Sequence, residues 1–263
     1  MTAPTTPINS AAAMGPLIAV GIVAGLTSGL FGVGGGVVIV PALVALARFD
    51  QRLAHGTSLT AILPISLSGT LGYGLAGEVA WGPAIPIAIG AVAGAVVGSQ
   101  LLARLPLRSL RLGFAAVMLV SAIRMVVAVP EGTGPGAVEL VDVFAYLALG
   151  VASGVLAGVM GVGGGIIMVP ILTFVAGFPL VLAKGTSLAV IVPTSIVATL
   201  RNRQLGTTAV SAGMIVGVTG IVSAYLGTQI ALVLDTAIAA GLFALLLAAV
   251  GLQLAFTSRK ADH

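Results

Sequence analysis

The stretch Phe31-Gly32-Val33-Gly34-Gly35-Gly36, followed five residues later by Pro41, decides how the rest of this chain is read. It returns 129 residues on as Met160-Gly161-Val162-Gly163-Gly164-Gly165, with Pro170 again five residues later. Glycines inside an apolar run mean that the backbone leaves the helical basin, or approaches something so closely that a side chain would be in the way. In lipid, backbone N–H and C=O groups freed in this manner are tolerated only where they are buried in protein or line a polar cavity. Two such interruptions at corresponding places of two halves point to the binding site of a transporter.

Composition supports the membrane setting that this argument assumes. Of 263 residues, 59% are hydrophobic and 7% are charged, and the mean hydropathy is +1.22. A soluble domain carries roughly 25% charged residues, so one integral membrane unit is expected. The net charge of +4 comes from few residues and reads as loop charge that orients helices. With aromatics at 5% and no dense basic patch, a nucleic-acid partner is not expected. The absence of cysteine excludes disulfides, thiolate metal sites and thiol redox chemistry. Residues 1–13 hold no Lys or Arg, so they lack a basic signal-peptide start and the first apolar run is expected to stay in the membrane.

Outward from the glycine runs, the chain divides into a tail (1–13), a first repeat (14–129), a linker (130–142), a second repeat (143–256) and a C-terminal tail (257–263). Met14–Leu30 precedes the first break, and Val37–Ala47 follows it. About a dozen residues at ~1.5 Å each span roughly 18 Å, well short of a ~30 Å hydrocarbon core, so the second piece fits a half-helix between midplane and surface. A charged loop, Arg48 to His55, then leads to Gly56-Thr57-Ser58-Leu59, which opens a full span reaching Leu75. Pro83–Leu102 and Leu107–Val129 follow as further spans. The second repeat replays this order: Phe144–Met160, the break, Ile166–Ala176, Lys184-Gly185-Thr186-Ser187-Leu188 opening a span, then Thr207–Leu234 and Ala237–Phe256. The offset of 129 persists at Pro64 and Pro193, Ser66 and Ser195, Gly98 and Gly227, and Gln100 and Gln229.

Charge decides how the repeats are related. If each broken element returns to the face it entered, the halves are inverted; if it crosses once, they are parallel. With Arg48, Arg52, Arg104, Arg108 and Arg111 inside, the inverted arrangement also places Arg201, Arg203, Arg259 and Lys260 inside, leaving Lys184 and Arg124 outside, nine against two. The parallel arrangement gives six against five. Positive charge in short loops favours the inside, so the expected fold is an all-α polytopic membrane protein of two inverted repeats. Each repeat holds a glycine-broken element, re-entrant or discontinuous, plus three full spans, and both termini are cytoplasmic.

The doubled Gly-x-Gly-Gly-Gly with its downstream Pro, each copy followed by Gly-Thr-Ser-Leu, resembles the sulfite exporter TauE/SafE family of bacterial membrane permeases. The similarity runs from Met14 to Phe256. The resemblance implies movement of small sulfur-containing anions, such as sulfite or organosulfonates, across the inner membrane, with seven or eight spanning helices and no family set of catalytic residues to carry over.

The candidate anion site follows from backbone chemistry. Each break opens a short helix whose first N–H groups lack intrahelical partners, and glycine leaves those groups uncovered, as an anion-binding concavity requires. Gly34, Gly35 and Gly36 with Gly163, Gly164 and Gly165 are therefore expected to meet at midplane, with the hydroxyls of Thr57, Ser58, Thr186 and Ser187 completing the shell. Two other readings stand beside this one: glycines that serve only close helix packing, and Thr-Ser pairs that only cap their helices. His55 and Lys184, at equivalent positions before the Thr-Ser pairs, are secondary ligand candidates or interfacial charges, and Arg124 is either a ligand or a snorkelling side chain.

All seven carboxylates, Asp50, Glu78, Glu131, Glu139, Asp142, Asp235 and Asp262, fall in expected loops, turns or the tail. An intramembrane proton relay usually uses Asp or Glu, so carboxylate-based coupling is disfavoured. There is no P-loop pattern for an ATP-driven pump, no metal cluster and no strand before the glycines for a dinucleotide. No cofactor is expected, and the partners are a small anion and membrane lipid. The expected function is a secondary anion transporter working by alternating access, with an anion channel of the same architecture or, less favoured, an intramembrane enzyme as alternatives.

Overall fold

Each apolar run forms a helix, because in lipid a helix satisfies its own backbone. The computed structural model describes residues 11–101, 107–127, 132, 134–135, 139–160 and 164–259. In chain order the helices are α1 (Ala11–Phe31), α2 (Gly36–Leu46), α3 (Gln51–Leu75), α4 (Trp81–Leu101), α5 (Leu107–Val127), α6 (Leu140–Met160), α7 (Gly165–Phe174), α8 (Leu180–Gln204), α9 (Val210–Val233) and α10 (Thr236–Arg259). The described residues contain no strand. Helices α1, α3, α8, α9 and α10 are each long and apolar enough to cross a membrane.

Two helix starts differ from expectation. α3 begins at Gln51, where the Asp50 side chain accepts from the Leu53 N–H at 3.0 Å. α8 begins at Leu180, directly after Pro179. Thr57 and Thr186 are thus each the seventh residue of their helix, and neither Thr-Ser pair caps its own N-terminus. Arg52 and His55, expected in a loop, lie in the opening turns of α3, and Asp142, expected in the linker, lies in the first turn of α6. The reason at α3 is the Asp50 cap, a stronger start signal than Thr; α8 starts behind Pro179, whose ring fixes φ and which has no N–H to leave unpaired.

Helix pairing sets the topology. A Cβ on Gly21, Gly25 or Gly29 of α1 would overlap the carbonyl oxygen of Val216, Gly220 or Ala224 of α9, respectively. Spacing by four puts these glycines on one face, and the paired numbers rise together, so α1 and α9 run side by side in the same direction. The second repeat matches: Gly150 and Gly154 of α6 lie against the carbonyls of Ile87 and Ala91 of α4, each 129 residues from its counterpart. Small residues that let backbones approach closely are how helices associate in lipid.

α1 therefore enters from the end where α8 stops and α9 starts, the end carrying Arg201 and Arg203. After the break Gly35 packs on Ala24 of α1, and Gly34 packs on Ile62, midway along α3. α2 then runs back to Arg48 and the start of α3, whose Thr57 meets Ala209 just ahead of α9. Entry and exit share a face, so this element is re-entrant. The second element mirrors it from the far end, since Thr186 meets Ala80 just ahead of α4. Helices α3 and α8 thus point in opposite directions, which is the inverted arrangement. α3 packs on α8 and α5 on α10, each a helix and its own repeat counterpart, so these pairs flank the pseudo-two-fold axis.

Polarity is arranged for lipid. Leu71, Ile85, Ile123, Val222 and Leu245 face outward, whereas Thr57, Ser58, Thr186, Ser187 and Thr228 are fully buried. Trp81 is exposed at the start of α4 on the far end, the depth where an amphipathic ring is favoured.

Candidate functional site

The glycine turns are left-handed where the sequence runs out of side chains. Gly32, Gly34, Gly35 and Gly164 have φ of 74°, 75°, 78° and 75°, and Gly35 and Gly164 immediately precede α2 and α7. A residue with a Cβ pays roughly 1–2 kcal/mol to adopt this conformation. The breaks come together: a Cβ on Gly165 would fall 2.7 Å from the carbonyl carbon of Val33, and one on Gly34 would fall 3.4 Å from Ile191. Gly36 and Gly165 are buried. Gly163 lies outside the described residues.

The hydroxyls divide into separate roles. Thr57 Oγ1 accepts from the Ala209 N–H and Thr186 Oγ1 from the Ala80 N–H, both at 3.0 Å and both 129 residues apart in register. Each threonine thus holds the backbone leading into α9 or α4. Ser187 Oγ reaches the first break, donating to the Gly32 carbonyl at 2.9 Å. Ser58 Oγ is buried with no hydrogen-bond partner. Arg124 is exposed and sits over the Phe174 ring, 5.0 Å from its centroid, a cation–π contact near the end of α5.

One cavity reaches a glycine break. It has a volume of about 360 Å³ and runs from His55, Arg201 and Asn202 at its mouth, past Val92, Ser153 and Thr194, to Ile191 and Gly164 at its base. Its walls are mostly apolar, and Ser153 and Thr194 donate to carbonyls of their own helices. The Asn202 side chain is fixed by Thr207, whose Oγ1 donates to Asn202 Oδ1 at 2.8 Å. The base is the N-terminus of the ten-residue α7, which has no side-chain cap and whose positive dipole end favours an anion.

The equivalent seam at the far end is shut. Ser68 Oγ of α3 donates to the Ile221 carbonyl of α9 at 2.7 Å. The residues 129 positions away from this pair, Val197 and Val92, instead stand on the cavity wall. A Cβ on Gly69 would meet Leu188 at 2.6 Å and one on Gly72 would meet Thr228 at 2.8 Å. Tyr73, fully buried, closes the seam by donating to the Gly29 carbonyl at 2.7 Å. Ala198, Arg201 and Asn202 replace Gly69, Gly72 and Tyr73 at the same register in α8. Side chains occupy the open seam where glycines let the other close, and α3 packs more extensively on α9 than α8 does on α4.

A model described as Sulfite exporter TauE/SafE matches residues 3–125 and 146–263, one segment for each repeat. The chain belongs to this family. Among its relatives, the probable membrane transporter protein YunE of Bacillus subtilis (strain 168) is 27% identical over 198 residues, covering 66% of this chain and 72% of that protein. The probable membrane transporter protein MJ0441 of Methanocaldococcus jannaschii is 28% identical over 186 residues, 68% of each chain. A probable membrane transporter protein of Xylella fastidiosa (strain Temecula1 / ATCC 700964) is 40% identical over 86 residues, 33% of each chain. No solved structure matches. This TauE/SafE protein is a multi-pass membrane protein of a transporter family.

Sequence reading missed the cavity-lining residues Arg201, Asn202, Thr194 and Ser153 of the TauE/SafE chain. Arg201 was legible only as loop charge. The available signal was its pairing in register with a glycine, which marks a place where the two repeats differ in bulk.

Proposed function

We propose that the protein is a secondary transporter that moves a small anion, sulfite or a related sulfur oxyanion or organosulfonate, across the bacterial inner membrane by alternating access. The observation that carries this reading is the unequal state of two equivalent seams. One opens a cavity from the basic end to the N-terminus of α7, and its counterpart at the far end is packed shut. Inverted repeats interconvert by exchanging conformations, which moves access from one face to the other around a central site. With the Arg-rich end in the cytoplasm, both termini are cytoplasmic and the structure is inward-open. His55 and Arg201 at the mouth raise the local concentration of anions. The sulfur-anion class comes from the family's description.

The experiment is uptake of radiolabelled sulfite by proteoliposomes holding the full chain. A carrier gives saturable uptake and counterflow, and Ala198→Trp, which fills the cavity wall, abolishes both while Leu71→Trp on the lipid face does not. Flux rising linearly with concentration would establish a channel instead. Unchanged uptake by Ala198→Trp would remove the cavity from the path.

A further inference from the structure

Lys184 is buried completely, and its Nζ has no hydrogen-bond partner. A lysine near a helix end in a membrane ordinarily snorkels to water along its flexible stem. Here the stem is enclosed, because the backbone of Gly32 lies directly on it: a Cβ on Gly32 would fall 2.6 Å from Lys184 Cα and 2.8 Å from its Cβ. The next residue, Gly185, is pressed against Tyr73 and the carbonyl of Glu78, so the α3–α4 turn covers the other side. That contact is with the Glu78 backbone, and among the described residues Lys184 forms no ion pair. An ammonium taken out of water without a counter-charge is among the costliest groups a fold can bury.

A second unpartnered group sits one helical turn from Gly32, the residue that lies on Lys184. Ser28 Oγ is buried and bonded to nothing. Ser28 stands one turn before Gly32, whose N–H donates to the Ser28 carbonyl at 2.7 Å. Two residues next to the left-handed Gly32, Ser28 before it and Lys184 packed on it, therefore each carry a buried donor without an acceptor. What these groups lack is a species with several acceptor oxygens and negative charge.

Register supplies the third observation. Lys184 is the counterpart of His55, which stands at the mouth of the open cavity. Lys184 occupies that position on the seam that is closed. Resting on the transport reading above, we propose that Lys184 is the anion-binding cation of the far-side access path, ligating the oxyanion together with Ser28 when the α3–α9 seam opens and His55 is covered. Each face then carries one nitrogen-bearing side chain at the same register, His55 on one and Lys184 on the other, and Lys184 is desolvated with the seam shut.

The chain holds two lysines, Lys184 and Lys260, so the test can be made on the unmodified protein. Purified full chain in nanodiscs is treated with cyanate, with and without sulfite, and carbamylation is followed at each lysine by mass spectrometry. Sulfite is expected to slow Lys184 labelling at least tenfold and leave Lys260 unchanged. Lys184→Met and Lys184→Gln give the second measurement. Both variants are expected to be as thermally stable as the parent or more so, to show a smaller sulfite-induced rise in Tm than the parent, and to raise the half-saturation for uptake from the far side at least tenfold. His55→Gln should act on the opposite side only. Sulfite that stabilises both Lys184 variants as it does the parent, or labelling at Lys184 that sulfite does not slow, overturns the proposal and leaves transport standing. A parent protein whose Tm responds to none of sulfite, thiosulfate, sulfate or an organosulfonate overturns the anion reading, and this proposal with it.

Discussion

Thr57 and Thr186 hold the backbone N–H groups of Ala209 and Ala80 at the same distance, in positions related by the 129-residue repeat. Replacing either by Val preserves shape and removes the acceptor, which leaves a partly buried donor unpaired at a cost of about 1 kcal/mol. Thr57→Val and Thr186→Val should each lower stability by that amount, and the two should add, because the sites lie far apart. Thermal unfolding in detergent checks the sum, and the KM for sulfite should stay within twofold, since both hydroxyls are committed to structure. A KM shift above tenfold would return the threonines to the substrate. Gly164 is the opposite case. At φ 75°, Gly164→Ala should cost roughly 1–2 kcal/mol and lower the uptake rate as well, because the backbone at the cavity base would shift.

Among the elements, the α1–α9 and α6–α4 pairs carry the assembly. Both are seams where glycines of one helix meet carbonyls of the next, so they tolerate no Cβ growth without separating the helices. Gly25→Val is expected to lower Tm by roughly 10 °C or prevent recovery of folded protein, since overpacking of about 3 kcal/mol translates to a shift of that order. Gly241→Ala, in α10 where an added Cβ meets nothing within 4 Å, should leave Tm unchanged or slightly raised. Equal losses at the two positions would show that the contact between helices is not what Gly25 serves. The re-entrant helices depend on their neighbours more than the spans do. α2 has 11 residues and α7 has ten, lengths that are marginal for an isolated helix, so tertiary packing holds them.

At the scale of the molecule, inversion makes a topological prediction. Gln204 ends α8 at the basic end, and Thr236 opens α10 at the far end. Because the natural chain has no cysteine, a single cysteine at Thr236 should react with an impermeant maleimide on intact cells, and one at Gln204 only after permeabilisation. Both reacting from one side would rule out the inverted arrangement. Under the proposed alternating access, one seam closes as the other opens; the seam shut here is the one that carries Gly69 and Gly72, and the open one carries Ala198 and Arg201.

The linear chain carries a large part of this on its own. Sustained hydropathy sets the helices, because each must satisfy its backbone within itself in lipid. The 129-residue offset gives the duplication, and the placement of Lys and Arg points to its inversion, because these residues are enriched in short cytoplasmic loops. Glycine runs mark the breaks because backbone conformation is local. The roles of side chains were a different matter. Thr57 and Thr186 were expected at helix starts near the breaks, yet they cap helices of the opposite repeat, which no local pattern records. Whether a broken element crosses or turns back depended on Gly35 meeting Ala24 and Gly34 meeting Ile62. The cavity appeared only once α8 was set against α4, and Lys184 became a buried cation only when Gly32 was laid across it. Contacts between residues far apart in sequence are fixed by packing of whole helices, so tertiary structure alone decided which seam stands open and which polar groups are left inside without a partner.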